Sequence, residues 1–216
     1  TNDRIYSVPI PPRKPVHWVD NFVALAGPFG VKPDSRDWRA RLPLDDAARA
    51  EAESHWAQVR GPQARPRVLV NLYSASADRQ WPVDRFGPVL RRIRERLPAA
   101  AIALPTMPAG DADADRLATE GGASAVPLTL AQVTAFTATA DLVVSPDTAI
   151  TVIASAFRVP VLALMRKDTQ QWVPYKVEGQ VAWSDDPRSL MGRPVDRVVR
   201  TGDAVTDELA PPRGWI

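Results

Sequence analysis

Through the middle of the chain, short apolar runs alternate with stretches whose apolar positions return every three or four residues. "RVLVNLY" (67–73), "AIALP" (101–105), "SAVPL" (124–128), "DLVVS" (141–145) and "VPVLALM" (159–165) read as strands. Between them, Val83, Phe86, Val89, Leu90, Ile93 and Leu97 share one side of a helix over 82–97, with Pro82 at its start. "DADADRLATEGG" (111–122) predicts a helix closed by glycine. "TLAQVTAFTATA" (129–140) predicts one capped by Thr129, and another opens at Asp147. Strands that are apolar throughout, separated by amphipathic helices, imply a parallel sheet covered on both faces. The pattern therefore predicts an α/β, Rossmann-like doubly wound parallel sheet. Its loops at 73–81, 105–111, 145–148 and 165–175 should gather at the carboxyl edge, where such sheets hold ligands.

The flanks are less regular. Residues 1–66 carry a Pro-rich opening, then a helix in which Trp18, Phe22 and Leu25 share a face ended by Gly27-Pro28. A second helix spans 45–60, where Asp45 and Asp46 suit the positive N-terminus, and "GPQARP" (61–66) reads as a linker. Trp18, Phe22 and Trp56, if exposed, would mark a surface that a partner covers. Residues 166–216, with "QQWVPY" and "VAWSDDPRSL" before a final "ELAPPRGWI", are less regular than the middle of the chain. The division expected is a lead-in over 1–66 and a ligand-binding Rossmann-like domain over 67–216.

Composition removes several classes. The chain has 216 residues, a formal net charge of +2 and no cysteine, so disulfides and thiolate metal sites are excluded. His17 and His55 lie too far apart to suggest a metal site, and no cofactor motif is present. The balanced charge and the lack of a basic stripe interleaved with aromatics argue against nucleic acid. Arg91, Arg92, Arg94 and Arg96 read as a solvated helix face. No run reaches the roughly 18 apolar residues of a membrane span, and the polar, Pro-rich start does not resemble a signal peptide. A first residue of Thr suggests a chain processed or cut from something longer. No G-x-G-x-x-G follows any strand, and no P-loop, G-x-S-x-G or H-E-x-x-H occurs.

Candidate chemistry lies in the strand-end loops. "NLYSASADRQWP" offers Ser74 and Arg79, the latter able to pair bidentately with an anion. "LPTMPAGD" ends in Asp111, a natural N-cap. In "SPDTAI", Asp147 and Thr148 stand where a helix opens, followed by Ala149 and Ile150. Free N–H groups there can take a phosphate, while a helix cap alone would explain the same residues. "MRKDTQQWVPY" adds Arg166, Lys167, Asp168, Thr169 and Trp172 just past the last strand.

Three segments, "NLYSASADRQWPVDRFGPVL", "LTLAQVTAFTATADLVVSPDTAITVIASAFRVPVLALM" and "TQQWVPY", together resemble the C-terminal half of glycosyltransferase family 9, the ADP-heptose:lipopolysaccharide heptosyltransferases and their relatives. The resemblance covers about residues 67–180 and extends more weakly to "HWVDNFVALAGPFGV". It implies one half of a two-domain GT-B glycosyltransferase, the half that binds a nucleotide-sugar donor such as ADP-heptose. The acceptor, a lipopolysaccharide core or similar glycolipid, and the general base would belong to an N-terminal domain that this chain lacks. Inverting transfer in a bacterial cytoplasm, at the inner membrane's periphery or free of it, is implied, with no cofactor and no metal.

By matched position, the resemblance implies donor-phosphate contact for Arg79, a ribose contact for Asp111, and donor diphosphate and sugar at Asp147, Thr148 and the amides of Ala149 and Ile150. Ala149 stands where the family has Gly, and Val152 where it has His. The second departure motivates an alternative, a nucleotide-sugar-binding or scaffold domain that does not catalyse transfer. A GT-B epimerase-like enzyme is a third reading.

Overall fold

The structure, a computed structural model, describes residues 10–32 and 35–209. Six parallel strands form one sheet: β1 (Arg67–Val70), β2 (Ala101–Thr106), β3 (Ser124–Pro127), β4 (Leu142–Pro146), β5 (Val161–Met165) and β6 (Gly179–Trp183). Their order is β3-β2-β1-β4-β5-β6. The chain thus winds outward one way from β1, then returns and winds the other way from β4. Loops leaving the tips of β1 and β4 diverge to opposite faces, and a crevice opens between them.

Alternation along each strand builds two cores at once. Val68, Val70, Ile102, Leu104, Leu142, Val144, Leu162 and Leu164 point to one face. There α3 (Phe86–Arg96), α4 (Ala112–Gly121) and α7 (Val195–Leu209) cover them with Phe86, Leu90, Leu117, Val198 and Val205. Leu69, Ala103, Val143, Ala163 and Met165 point to the other face. They meet α2 (Asp46–Arg60), α5 (Leu130–Ala138) and α6 (Ala149–Phe157) through Trp56, Phe136 and Ala154. Side chains of period two feeding two helical layers is what makes these strands apolar throughout.

Local signals set most helix ends. Asp45 accepts from the Ala48 amide at the start of α2. Thr129 and Gln132 form a reciprocal capping box on α5. Gly122 ends α4 with φ 64°, a left-handed turn that glycine takes without steric cost. The helix expected over 82–97 begins instead as a 3₁₀ turn, Val83–Arg85, and becomes α-helical only at Phe86.

Two regions differ from the sequence expectation. Within residues 166–209 the chain forms β6 and α7, more regular structure than its pattern suggests. β6 is an edge strand with Gly179 and Gln180 exposed, so no apolar run announces it. Gly179 has φ 134°, and a Cβ there would lie 2.0 Å from the Val161 carbonyl oxygen, so the strand's entry admits only glycine. In α7, Gly202 reads as a helix breaker, but an added Cβ would stand 3.1 Å from Leu162, which shows close packing of α7 on β5.

The lead-in also folds back onto the sheet. Trp56 of α2 is 1% exposed and stacks on Phe136 at 3.9 Å between ring centroids. Glu53 grips Arg67, the buried first residue of β1, through two hydrogen bonds of 2.7 and 2.5 Å. That forked pairing suits guanidinium and carboxylate. α1 (Trp18–Ala24) docks elsewhere, on the segment after β5. His17 donates from Nε2 to the Val173 carbonyl at 2.9 Å, while its Nδ1 accepts from the Val19 amide. The Tyr175 hydroxyl donates to Asp20 at 2.5 Å. On α1 the buried residues are Asn21 and Val23, whereas Phe22 and Leu25 are exposed, so Trp18, Phe22 and Leu25 do not form a buried face.

Truncating Trp56 to Ala should cost about 3–5 kcal/mol of stability, through lost burial and the cavity left beneath α2. Urea denaturation of the two chains measures it. Glu53 sits below its ordinary pKa because of its hydrogen bonds to Arg67, although burial opposes that shift. A depressed carboxylate adds stability above its unfolded pKa and loses it as pH falls through the folded value. Glu53→Gln should therefore destabilise at neutral pH, by no more than about 1 kcal/mol because solvent screens the half-exposed carboxylate, and the difference should shrink below pH ~4. Melting temperatures across pH 3–7 test this.

Candidate functional site

The crevice at the β1/β4 divide is closed at its base by one buried side chain. Asn71, the residue after β1, donates from Nδ2 to the Tyr73 carbonyl at 2.9 Å, to Ser145 Oγ at 3.0 Å and to Thr148 Oγ1 at 3.3 Å. Ser145 Oγ and Thr148 Oγ1 are themselves 3.1 Å apart. The tips of β1 and β4 and the start of α6 are thereby held in one arrangement.

Above this base lies a cleft of about 320 Å³ lined by Arg79, Asp147, Thr148, Ala149, Val152, Arg166, Thr169 and Trp172. It joins three of the four loops that the sequence places at this edge. Arg79 ends a short 3₁₀ turn, Ala77–Arg79, whose loop is braced by Gln80. Gln80 donates to the Leu72 and Trp81 carbonyls and accepts from the Ser74 amide. The Arg79 backbone N–H donates to the Ser76 carbonyl at 3.0 Å, while its half-buried guanidinium makes no hydrogen bond or ion pair among the described residues, so its five donors remain open to a ligand.

Arg166, the first residue past β5 and one of the candidates named in the loop after that strand, is the second cation of the cleft. Its signal was its place, one step beyond an apolar strand on the predicted ligand edge. Unlike Arg79 it is already compensated, by an ion pair with Asp78 and another with Asp168 at 3.3 Å. Asp78 is held below the usual carboxylate range by the Ser76 hydroxyl and then by the Arg166 charge, against the effect of burial.

Asp147 behaves oppositely. Burial pushes its pKa up, and the charges of Arg79 and Arg166 only partly counter that. Among the described residues it makes no hydrogen bond or ion pair, and it does not cap α6. Thr148 is the cap: its hydroxyl accepts from the Ile150 amide at 3.2 Å. This corrects the expectation that the amide of Ile150 is open to a ligand. The Ile150 side chain packs against the helical core on the α6 side. Ala149 does line the cleft, and its amide precedes the first one taken by the cap.

Ser74 and Asp111 are not brought into the cleft. Ser74 is tied into its own loop. Asp111 caps α4, accepting from the amides of Asp113 at 2.9 Å and Ala114 at 3.0 Å. Burial works against its ionisation, but the Tyr73 hydroxyl and those two amides hold it below its ordinary pKa. Val152 is 52% exposed at the cleft wall. No group of three or more His, Asp or Glu suited to a metal ion occurs among the described residues. No helix among them is long and apolar enough to cross a membrane.

The chain is a doubly wound α/β protein whose switch-point cleft brings Arg79, Arg166 and the first residues of α6 together at the carboxyl edge of the sheet. The family follows from the sequence as a whole. The sequence model of glycosyltransferase family 9 (heptosyltransferase) matches residues 4–192, and the chain belongs to that family.

Solved structures share the fold at low identity. The glycosyl transferase family 9 protein from Veillonella parvula DSM 2008 superposes with a TM-score of 0.75 at 15% identity, over 91% of this chain and 62% of that one. E. coli heptosyltransferase WaaC with ADP-2-deoxy-2-fluoro heptose gives 0.66 at 18%, over 94% and 60%. E. coli ADP-heptose lps heptosyltransferase II gives 0.61 at 13%, over 78% and 54%. The chain thus spans less than two thirds of the length of each. No curated protein matches it.

Because burial raises the pKa of Asp147, its charge opposes folding once both states are ionised. The penalty is absent below the unfolded value and complete above the folded one. Asp147→Asn should therefore raise the melting temperature at pH 7, and the gain should vanish below pH ~4. Thermal melts of both chains at the two pH values check the sign.

Proposed function

We propose that this chain is the donor-binding half of a family 9 glycosyltransferase, taking the diphosphate of a nucleotide-sugar such as ADP-heptose in the cleft at the β1/β4 divide. The observation that carries this reading is the open guanidinium of Arg79 opposite the N-terminus of α6, in one cleft with Arg166. Family membership, and a family 9 neighbour whose structure holds an ADP-heptose analogue, support the class of donor.

In this reading Arg79 takes phosphate oxygens, and the Ala149 amide and the α6 dipole add to it. Arg166 contributes charge while its position is fixed by Asp78 and Asp168. Asp147 faces sugar or ribose hydroxyls, where a carboxylate can accept hydrogen bonds without meeting phosphate. Asp111, with its carboxylate committed to α4, would reach a ribose only through a free lone pair, and Ser74 would act only through its loop.

Transfer would be inverting. The oxygen of an acceptor hydroxyl, on a lipopolysaccharide core or related glycolipid, bonds to the anomeric carbon as the bond from that carbon to the phosphate oxygen breaks. The hydroxyl proton goes to a carboxylate of an N-terminal domain outside these 216 residues. The nucleoside diphosphate leaves with its new charge against Arg79 and α6. A cytoplasmic site of action at the inner membrane's periphery fits such an acceptor.

A second reading rests on Val152. The resemblance places a histidine there, and an exposed valine supplies no hydrogen bond to phosphate or sugar. A domain that binds nucleotide sugar without transferring it would carry such a change. Sugar transfer by the full-length protein would exclude that alternative.

Calorimetry of the chain with ADP, UDP and GDP should show one of them binding. Arg79→Ala should weaken it by about 10- to 100-fold, as expected for a lost charge-assisted hydrogen-bond pair. Failure of all three to bind would remove the donor-binding assignment.

A further inference from the structure

The wall of the cleft opposite the arginines is apolar, and it continues into a second depression. Val152 and Trp172 line both the cleft and an adjoining pocket of about 90 Å³ that also involves Trp18, Phe22 and Tyr175. Trp172 is 46% exposed, while its other side is backed by Trp18 with ring centroids 5.5 Å apart. Trp18 is in turn backed by Phe22 at 5.6 Å. Trp172 closes the 3₁₀ segment Lys167–Trp172, and the following Val173 and Tyr175 are pinned to α1 through His17 and Asp20. An exposed indole that rests against a second, tilted indole and is anchored by its neighbours is a fixed flat surface.

A ligand with its anion at Arg79 therefore meets an aromatic face and a valine next to that anion. A pyranose ring offers the matching surface, because its axial C–H bonds form an apolar face while its hydroxyls lie at the rim. Those hydroxyls would fall toward Asp147, the cleft's carboxylate without a hydrogen-bond partner among the described residues. A nucleobase could also stack on an indole, but a flat aromatic ring lacks the rim of hydroxyls that a carboxylate such as Asp147, in the same cleft, can accept from.

We infer that Trp172, backed by Trp18, is the stacking platform for the sugar ring of the nucleotide-sugar, and so a specificity-determining residue of the cleft. The inference rests on the donor-binding reading above and adds to it the part of the donor that is read by stacking. A platform of this kind is tolerant of hydroxyl stereochemistry on the remote face, since every pyranose presents C–H bonds. It rewards the presence of a sugar more than its identity.

The test compares each nucleotide with its sugar conjugate on the whole chain: ADP with ADP-heptose, UDP with UDP-glucose, and GDP with GDP-mannose. For the nucleotide that binds, the conjugate should bind more tightly to the wild-type chain and should quench tryptophan fluorescence further than the nucleotide does. In Trp172→Ala the nucleotide should bind as before, which also shows that the variant is folded. The extra affinity for the conjugate should fall by roughly three- to tenfold. Trp172→Phe should retain most of that gain.

If no nucleotide binds the wild-type chain, the donor-binding reading fails first. If nucleotide and conjugate lose affinity equally in Trp172→Ala, the indole stacks on the base or merely supports the fold, and the platform is overturned. It is likewise overturned if the conjugate gains nothing over the nucleotide in the wild-type chain, or keeps its full gain in the alanine variant.

Discussion

The buried amide of Asn71 fixes how the chain leaves the two halves of this sheet. The β1–β4 ladder, continued by the Asn71 backbone N–H to the Val144 carbonyl at 2.8 Å, sets the spacing of the strands, but beyond it the two chains turn to opposite faces. There one side chain bridges the departing loops, bonded to the Tyr73 carbonyl on its own strand's side and to Ser145 and Thr148 on the other. All of these atoms lie in or near the floor, where an unpaired polar group would be costly. The loop carrying Arg79 and the first turn of α6 are therefore placed relative to one another by hydrogen bonds whose loss the fold could not easily absorb.

The same geometry explains why the cleft contains both signs of charge. Arg166 arrives from β5 with its compensation supplied by Asp78 and Asp168, and so acts as much to tie the β1 and β5 loops together as to present a charge. Arg79 has no such partner, and the charges of both arginines reach Asp147 without an ion pair, offsetting only part of the rise that burial imposes on its pKa. A cleft of this kind keeps one guanidinium available while limiting the repulsion between neighbouring arginines that an empty, wholly cationic site would suffer.

How much could be read from the sequence depended on where each element lies. The four inner strands were legible because burial on both faces leaves little room for polar residues in them, and the edge strand β3 was legible from its short apolar run before the Thr129 cap. β6 was not, because an edge strand is free to carry Gln180 and Glu178 beside it, and α7 was hidden by Gly202, whose cause is a tertiary contact with Leu162. Within the site, Arg79, Asp147, Thr148 and Ala149 were legible from their places at strand ends. Asp111 illustrates the opposite case: matched position suggested a ligand contact, whereas the local demand of two α4 amides and the Tyr73 hydroxyl occupies it. The open amide expected at Ile150 was lost to the Thr148 hydroxyl, a competition between side chain and ligand that no sequence pattern displays.

The docking of α1 has a mechanical meaning. Its hydrogen bonds to the sheet domain, among the described residues, run from His17 to the Val173 carbonyl and from Tyr175 to Asp20, close after the indole at the cleft's lip. Whatever chain leads into α1 is thus coupled to that lip by a rigid strut one helix long, bypassing the strands altogether. A displacement of the upstream chain would be delivered to the mouth of the cleft while the sheet stayed still.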